Sequence, residues 1–231
     1  MNPLNKKLII AIDGPSGAGK STLSKALAKQ LGYVNIDTGA MYRSIALLAR
    51  QQQIDLHNEA ALKKLCSDLS IKFIRGHDAE KVIVNDVDVS AAIRTPEVSL
   101  LTAQVAASPV VRDAMVKLQR EMGEGGGVVL EGRDIGTVVF PYADVKFFLL
   151  ASAEERGRRR YEELLATGSH ISLEQTISEV QARDKADMSR SHAPLIQADD
   201  AIVIDSTQLS IDAVLGEMTT IVKNKIVELA G

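Results

Sequence analysis

One segment constrains this chain more than any other, the run Gly14-Pro15-Ser16-Gly17-Ala18-Gly19-Lys20-Ser21. It matches the phosphate-loop pattern G-x-x-x-x-G-K-[ST] at every fixed position, and it lies between an apolar run and a helical pattern. Glycines allow successive backbone N–H groups to point at phosphate oxygens, and the helix N-terminus adds partial positive charge. Lys20 can then neutralise the β- and γ-phosphates while the Ser21 hydroxyl ligates Mg²⁺. The segment predicts that the chain binds a nucleoside triphosphate.

Strand and helix patterns alternate along the rest of the chain. Short apolar runs that predict strands lie at residues 8–13, 33–37, 128–131, 145–150 and 201–205. Capping residues that predict the starts of helices are Asn58, Thr95, Ser108, Ser152, Ser172 and Ser210. Because helices separate the strands, we predict an α/β fold with a five-stranded parallel sheet covered by helices on both faces.

The pattern changes between residues 70 and 89. Residues 70–75, 81–85 and 87–89 are short β-type runs, and a Gly-His-Asp turn at residues 76–78 joins the first two. These runs predict a small antiparallel sheet inserted between the α/β units.

The charge of the chain is nearly balanced, since 27 Lys and Arg against 30 Asp and Glu give a net charge of −3. A nucleic-acid or anionic-membrane partner would favour a basic excess, and the lack of Trp leaves no aromatic platform for stacking bases. No apolar run approaches the ~20 residues of a membrane helix, and no signal-peptide pattern opens the chain. We therefore expect a cytoplasmic protein that binds neither nucleic acid nor membrane.

Cysteine and histidine usage excludes two further kinds of site. Cys66 is the single cysteine, which rules out an intramolecular disulfide and is typical of a reducing compartment. The four histidines, at positions 57, 77, 170 and 192, show no metal-ligand spacing, so we expect no protein-bound structural metal.

A second ligand-binding segment is predicted at residues 37–43, Asp-Thr-Gly-Ala-Met-Tyr-Arg, where a strand ends and a helix begins. Open α/β sheets bind ligands at the carboxyl ends of their strands, so Thr38 and Arg43 are placed to bind an anion. The alternative is structural: Thr38 caps the helix and Arg43 is a solvated surface charge.

Another such segment, residues 131–137, directly follows a predicted strand. Glu131 or Asp134 could hold Mg²⁺ through water, and Arg133 could bind phosphate. The alternative is a strand-ending turn that an Arg–Asp pair stabilises.

Arginines form a third group of candidates. Arg183 and Arg190 are seven residues apart and therefore share a helical face, which Asp187 joins. Guanidinium binds phosphate oxygens bidentately, whereas Lys cannot. Arg156, Arg158, Arg159 and Arg160 lie early in the preceding helix among glutamates, so a salt-bridged surface helix is an equal interpretation there.

With these motifs, the chain resembles the bacterial-type cytidylate kinases of the nucleoside monophosphate kinase family. The resemblance runs nearly end to end. Besides the phosphate loop and residues 37–43, the matching segments are residues 93–98, 104–107, 130–141, 151–156, 183–190 and 204–207. It implies one kinase domain over residues 1–231, with its core at 1–64 and 106–231, a monophosphate-binding insert at 65–105 and a lid at 152–172.

The resemblance also implies site residues. For ATP these are Gly14, Pro15, Ser16, Gly17, Ala18, Gly19, Lys20, Ser21, Thr22 and Arg159. For CMP they are Thr38, Tyr42, Arg43, Arg112, Arg133, Asp134, Arg183, Asp187 and Arg190. Lys20, Arg133, Arg183 and Arg190 are the expected catalytic residues, and Mg²⁺ that arrives with ATP is expected on Ser21 and, through water, on Glu131.

In some family members, the residue directly before the Gln-Val-Ala-Ala segment is a serine that contacts cytosine. In this chain that position is Ala103. The resemblance therefore leaves recognition of the base to Arg112 and Asp134.

The implied reaction is transfer of the γ-phosphoryl group of ATP to CMP or dCMP by a monomer. Two alternatives are a kinase of the same fold that acts on UMP, AMP or shikimate, and a nucleotide switch or nucleic-acid-binding ATPase. Balanced charge and arginines suited to a second phosphate ligand argue against the latter class.

Overall fold

The structure is a computed structural model that describes residues 7–75, 80–166, 168, 171–190 and 193–230. Its strands are β1 (Ile9–Asp13), β2 (Val34–Asp37), β3 (Ile71–Arg75), β4 (Glu80–Val84), β5 (Val87–Asp88), β6 (Val128–Glu131), β7 (Val145–Leu150) and β8 (Ile202–Asp205). Its helices are α1 (Lys20–Leu31), α2 (Thr38–Gln51), α3 (Glu59–Ser67), α4 (Pro96–Ala107), α5 (Pro109–Gly123), α6 (Ala153–Ala166), α7 (Leu173–Met188) and α8 (Ile211–Ala230). The predicted turn at residues 76–78, with its histidine, and the histidines at 170 and 192 lie outside the described residues.

The main sheet has five parallel strands in the order β2-β6-β1-β7-β8, which confirms the predicted fold class. β1 is central and pairs with β6 on one side and β7 on the other. Every residue of β1 after Ile9 is buried, as expected of a parallel strand with both faces covered. The carboxyl ends of β1 and β6 consequently lie side by side, where Ile12 is in register with Glu131.

The hydrophobic core lies where α1 and α8 pack on this sheet. Ile10 and Ile12 of β1 cluster there with Leu23 of α1 and Met218 of α8, all of them fully buried. Burial of each such side chain stabilises the fold by roughly 1.5–3 kcal/mol. This packing fixes the start of α1, and therefore the phosphate loop, against the end of β1.

The chain divides into two compact units, Met1–Asn35 with Gly126–Gly231, and Ile36–Gly125. In the second unit, α2 packs on α4 and α3 packs on α5. This unit also contains the predicted antiparallel sheet, in the order β3-β4-β5. A two-residue turn, Asn85-Asp86, joins β4 and β5 with both φ angles positive, a turn type that favours Asn and Asp.

Most predicted helix caps are confirmed. The side-chain oxygens of Asn58, Thr95, Ser152, Ser172 and Ser210 each accept a hydrogen bond from the backbone N–H three residues later. Ser108 is the exception: α5 begins after it, at Pro109, but its hydroxyl makes no capping bond, so the proline provides the start signal.

A π-helix at Ile135–Val139 was not predicted. Its widened turn is visible in the hydrogen bond from Phe140 N to Ile135 O, at 2.7 Å. Such turns are rare and are frequent at functional sites. Within the described part of the chain, no helix is long and apolar enough to cross a membrane.

Candidate active site

The phosphate loop leads from β1 into α1, as the motif predicts. Gly14 has φ +142°, and a Cβ there would overlap the carbonyl oxygen of Leu149, so no larger residue fits. Gly19 adopts φ 91° directly before α1 and provides no side chain to cap it. No cap side chain therefore accepts hydrogen bonds from the backbone N–H groups at the start of α1. These N–H groups are suited to bind a phosphate.

Lys20 is buried at the first position of α1, and its Nζ donates a 2.5 Å hydrogen bond to the carbonyl oxygen of Pro15 within the loop. Burial lowers the pKa of Lys20 well below its ordinary value, and the positive charges of Arg133 and Arg183 lower it further. Neighbouring carboxylates oppose this shift only in part. The loop thus presents an ammonium group that an anionic ligand would stabilise.

Ser21 and Glu131 meet at the adjacent ends of α1 and β6. The Ser21 hydroxyl donates a 2.8 Å hydrogen bond to Oε2 of Glu131, whose residue is only 5% exposed. A hydroxyl and a carboxylate are hard oxygen donors that fit Mg²⁺, which commonly takes one or two protein ligands together with substrate phosphates. Among the described residues, no group of three or more His, Cys, Asp or Glu side chains is arranged to hold a metal. Ser21 and Glu131 together offer two such oxygen donors.

Arg133 extends from the turn after β6 to α7. Its Nε donates to Oδ2 of Asp187 at 2.8 Å, and Nη2 of Arg190 lies 2.6 Å from Oδ1 of the same carboxylate. Asp187 is buried, which by itself raises its pKa, but Arg133, Arg190 and Arg183 outweigh this effect and lower the pKa overall. Three predicted CMP-binding residues are thus joined in one ion-pair cluster, beside which Arg183 lies exposed.

Two details of this region differ from the prediction. Arg190 lies two residues beyond the end of α7, because the helix ends at Met188, so helical periodicity is not what places it near Asp187. In addition, the alternative interpretation of residues 131–137 expected an Arg–Asp pair within the turn. Arg133 instead pairs with α7, while Asp134 is buried directly before the π-helix.

In the second unit, Asp37 organises the start of α2. Its Oδ1 accepts a hydrogen bond from Ala40 N at 2.8 Å, and its Oδ2 accepts one from Nη2 of Arg43 at 2.9 Å. A Cβ on Gly39 would lie 3.0 Å from Nη1 of Arg43, so a glycine leaves room for the guanidinium. The structural alternative for this segment is wrong on both points, since Asp37 rather than Thr38 caps the helix and Arg43 is held in an ion pair.

Other CMP candidates lie in the same unit. Thr38 is buried as the first residue of α2, and the guanidinium of Arg112 lies over the Tyr42 ring at 6.0 Å from its centre. Nε of Arg43 is buried without a hydrogen-bond partner among the described residues. A buried guanidinium N–H without an acceptor is suited to an incoming anion.

The arginines of α6 divide into two kinds. Arg158 and Arg160 form exposed ion pairs with glutamates of the same helix, as the surface-helix interpretation predicted. Arg159 bonds Glu155 and also donates to the carbonyl oxygen of Ser206 at 2.7 Å. Hydrogen bonds from Arg158, with those from Arg159, lower the pKa of Glu155 to about 2.

Arg156 is buried, contrary to that interpretation. It donates to both carboxylate oxygens of Asp184 on α7, and its Nη1 also donates to the carbonyl oxygen of Ser16 in the phosphate loop at 3.0 Å. The predicted ATP residue Thr22 lies exposed on α1, one residue beyond Ser21.

Comparison with known proteins decides the family. The family model described as cytidylate kinase matches residues 10–224. The chain belongs to the cytidylate kinase family. A protein named cytidylate kinase from Syntrophotalea carbinolica is 60% identical over 222 residues, which cover 96% of this chain and 94% of that protein. Its counterpart from Bacillus subtilis is 49% identical over 222 residues, with 96% and 99% covered.

The fold of this cytidylate kinase family member is also found among solved structures. An uncharacterized protein from Eubacterium ventriosum superimposes with a TM-score of 0.53 at 11% identity, over 94% of this chain and 99% of that one. At this level of identity the likeness supports the fold alone.

Three carboxylates of the site were missed by motif reasoning: Asp13, Asp37 as a cap and ion-pair partner, and Asp184. Asp13 was detectable as a charged residue at the end of an otherwise apolar strand. The sequence marks Asp184 only as the residue after Arg183. That position does not indicate that Asp184 pairs with a buried arginine of another helix. Each of these carboxylates bonds an arginine or a backbone segment of the candidate site.

Proposed function

We propose that this protein transfers the γ-phosphoryl group of ATP to CMP or dCMP, giving ADP and CDP or dCDP. The observation that carries the proposal is the combination, in a chain of the cytidylate kinase family, of an intact phosphate loop with arginines that buried carboxylates hold in place. The loop suits the donor, and the arginines suit a second phosphate ligand.

The ATP-binding residues are those of the phosphate loop, with Thr22 and Arg159. Loop N–H groups and Lys20 would bind the phosphates, because the buried ammonium gains charge stabilisation from them. Ser21 and Glu131 would hold the Mg²⁺ of ATP, Glu131 through water, as their 2.8 Å contact between oxygens brings two hard donors together. When bound, this metal supplies positive charge to the phosphate oxygens.

The CMP-binding residues in the second unit are Thr38, Tyr42, Arg43 and Arg112. Arg43 would bind the phosphate, since Asp37 orients its guanidinium and leaves its buried Nε available. Arg112 would hydrogen-bond the edge of the cytosine base. In the first unit, Asp134 would also read the base, and Arg133, Arg183, Asp187 and Arg190 would contact the sugar and phosphate.

The reaction needs no general base, because the acceptor phosphate of CMP is already an oxyanion. One of its oxygens forms a bond to the γ-phosphorus while the bond from that phosphorus to the β–γ bridging oxygen breaks, and ADP leaves. Catalysis is then positioning and charge stabilisation, to which Lys20, Arg133, Arg183 and Arg190 contribute. A lid at residues 152–172 would exclude water, which otherwise hydrolyses ATP.

A panel of acceptors tests the proposal. ADP release is measured with CMP, dCMP, UMP, AMP and shikimate, each with ATP and Mg²⁺. We expect CMP or dCMP to be the best acceptor. A strong preference for UMP, AMP or shikimate would reject the proposal in favour of another small-molecule kinase, and stimulation by nucleic acid but not by CMP would indicate an ATPase.

Two variants test the assignment of the acceptor site. Arg43→Ala and Arg133→Ala should each reduce turnover of CMP by at least tenfold while the dissociation constant for ATP changes by less than threefold. Arg160→Ala is the matched control, because that arginine is an exposed partner of Glu163. Near-normal turnover by both variants would contradict the assignment.

A further inference from the structure

Asp13 is a buried carboxylate for which the proposed reaction has no use. It is the last residue of the central strand β1, directly before the phosphate loop, and only 4% of it is exposed. Its Oδ1 accepts a 2.9 Å hydrogen bond from Ile135 N, and its Oδ2 accepts a 2.7 Å hydrogen bond from Gly136 N. Both oxygens therefore hold the backbone that directly follows Arg133 and Asp134.

The same turn is held at its other end by β1. Gly132 N donates to the carbonyl oxygen of Ile12 at 3.0 Å. Arg133 and Asp134 thus lie between two attachments to consecutive residues of one strand. Because β1 is the central strand and pairs with β6 and β7, the turn is attached to a buried strand that is hydrogen-bonded on both sides.

We propose that Asp13 is a positioning residue that clamps the 132–136 turn to β1 and thereby holds Arg133 and Asp134 in place for the acceptor nucleotide. This inference rests on the proposed function. A carboxylate can accept hydrogen bonds at both oxygens, whereas the isosteric amide of Asn offers one acceptor and one donor. Asn would therefore place an N–H group against one of the two backbone N–H groups.

Packing around Gly136 supports the clamp. A Cβ at this position would lie 3.4 Å from Oδ2 of Asp13 and 3.1 Å from Cδ of Lys146. The carboxylate and the lysine stem together fill the space beside the glycine. The backbone N–H groups of residues 135 and 136 consequently reach a single acceptor group at short distance.

Asp13→Asn tests the proposal, with Asp144→Asn as the matched control. Asp144 Oδ2 also accepts a backbone hydrogen bond, from Ile9 N at 2.9 Å, but at the opposite end of β1. We expect Asp13→Asn to lower kcat/KM for CMP at least tenfold while the dissociation constant for ATP changes less than threefold. Asp144→Asn should change both quantities less than twofold.

A double-mutant comparison separates positioning from a general loss of structure. If Asp13 acts by positioning the turn, Asp13→Asn should reduce kcat/KM for CMP by a smaller factor in the Arg133→Ala background than in the wild type, because only its effect through Asp134 remains. An equal loss in both backgrounds, or unchanged CMP kinetics in the single variant, would overturn the proposal. An equal loss of ATP and CMP affinity would overturn it as well.

Gly136→Ala provides a second variant if Asp13→Asn does not fold. Its methyl group would lie 3.1 Å from Cδ of Lys146, which must shift, and 3.4 Å from Oδ2 of Asp13, so the space around the carboxylate is repacked. We expect a smaller but selective loss of kcat/KM for CMP, and normal CMP kinetics in this variant would overturn the proposal. Activity of the wild-type protein on CMP is measured first. An inactive wild type rejects the proposed function together with this inference, whereas an active wild type with unaffected variants rejects the inference alone.

Discussion

Asp187 accepts a 2.8 Å hydrogen bond from Nε of Arg133, and so joins α7 to the turn after β6. Its other oxygen is paired with Arg190. One buried carboxylate with a 3% exposed side chain thus balances two guanidinium groups. Each guanidinium is oriented by its contact with a different oxygen of this carboxylate.

Asp187→Asn should therefore damage both stability and activity. Loss of the buried charge leaves two guanidinium groups facing each other, which we expect to lower the free energy of unfolding by about 3 kcal/mol. The value of kcat/KM for CMP should fall at least tenfold. Urea unfolding and steady-state kinetics measure these effects, with Glu163→Gln, an exposed ion-pair residue, as the control. A stable and fully active Asp187→Asn protein would show that the cluster is dispensable.

Arg156→Ala should destabilise the protein far more than Arg160→Ala. Arg156 is buried and bonds both Asp184 and the Ser16 carbonyl, so its removal leaves a carboxylate of low exposure without its partner. We expect a loss of about 3–5 kcal/mol in the free energy of unfolding for Arg156→Ala. For Arg160→Ala we expect the free energy of unfolding to fall by less than about 1 kcal/mol, because the ion pair of Arg160 is exposed. Similar unfolding midpoints for the two variants would contradict this difference.

Gly14→Ala should prevent folding or lower the free energy of unfolding by more than about 3 kcal/mol. The new methyl group would overlap the Leu149 carbonyl oxygen, and the backbone at residue 14 has a conformation that L-residues rarely adopt. Gly125→Ala is the control, because a Cβ there has nothing within 4 Å. Thermal unfolding followed by circular dichroism compares the two variants. A Gly14→Ala protein that melts with the wild type would show that the loop can shift away from β7.

Asp13 should make stability depend on pH. Burial, with a contribution from the negative charge of Asp134, raises the pKa of Asp13 to about 6 from 3.8. The folded protein therefore binds more protons at this site than the unfolded chain between about pH 4 and 6, so this contribution to stability is lost as the pH rises through that range. The loss amounts to about 3 kcal/mol.

Asp13→Asn removes this dependence because an amide does not titrate. The free energy of unfolding of the variant minus that of the wild type should increase by up to about 3 kcal/mol between pH 4 and pH 7. Other carboxylates, such as Asp187 with its lowered pKa, are present in both proteins and cancel in the difference. A difference that does not vary with pH would show that Asp13 titrates normally.

Local sequence signals predicted much of the fold. The phosphate loop, the apolar strands and the caps at Asn58, Thr95 and Ser172 depend on residues within a few positions of each other, and each is confirmed. The π-helix was not predictable in this way. Its first N–H groups bond Asp13, which is more than one hundred residues away in the chain.

The site was less predictable than the fold for the same reason. Motifs singled out the arginines, but which arginine is buried depends on packing between α6 and α7. Arg156 and Arg160 lie in the same charged run, and the close approach of Gly157 to Ile177 shows where α6 meets α7. The carboxylate partners Asp184 and Asp187 are likewise selected by tertiary contact rather than by sequence spacing.

The burial of Lys20 links nucleotide binding to the pKa of its ammonium group. Its lowered pKa means that the ammonium form is disfavoured inside the loop, and a triphosphate restores that form by supplying negative charge. Binding of ATP should therefore raise the pKa of Lys20. The affinity for ATP is then expected to fall as the pH rises above the pKa that Lys20 has in the free protein.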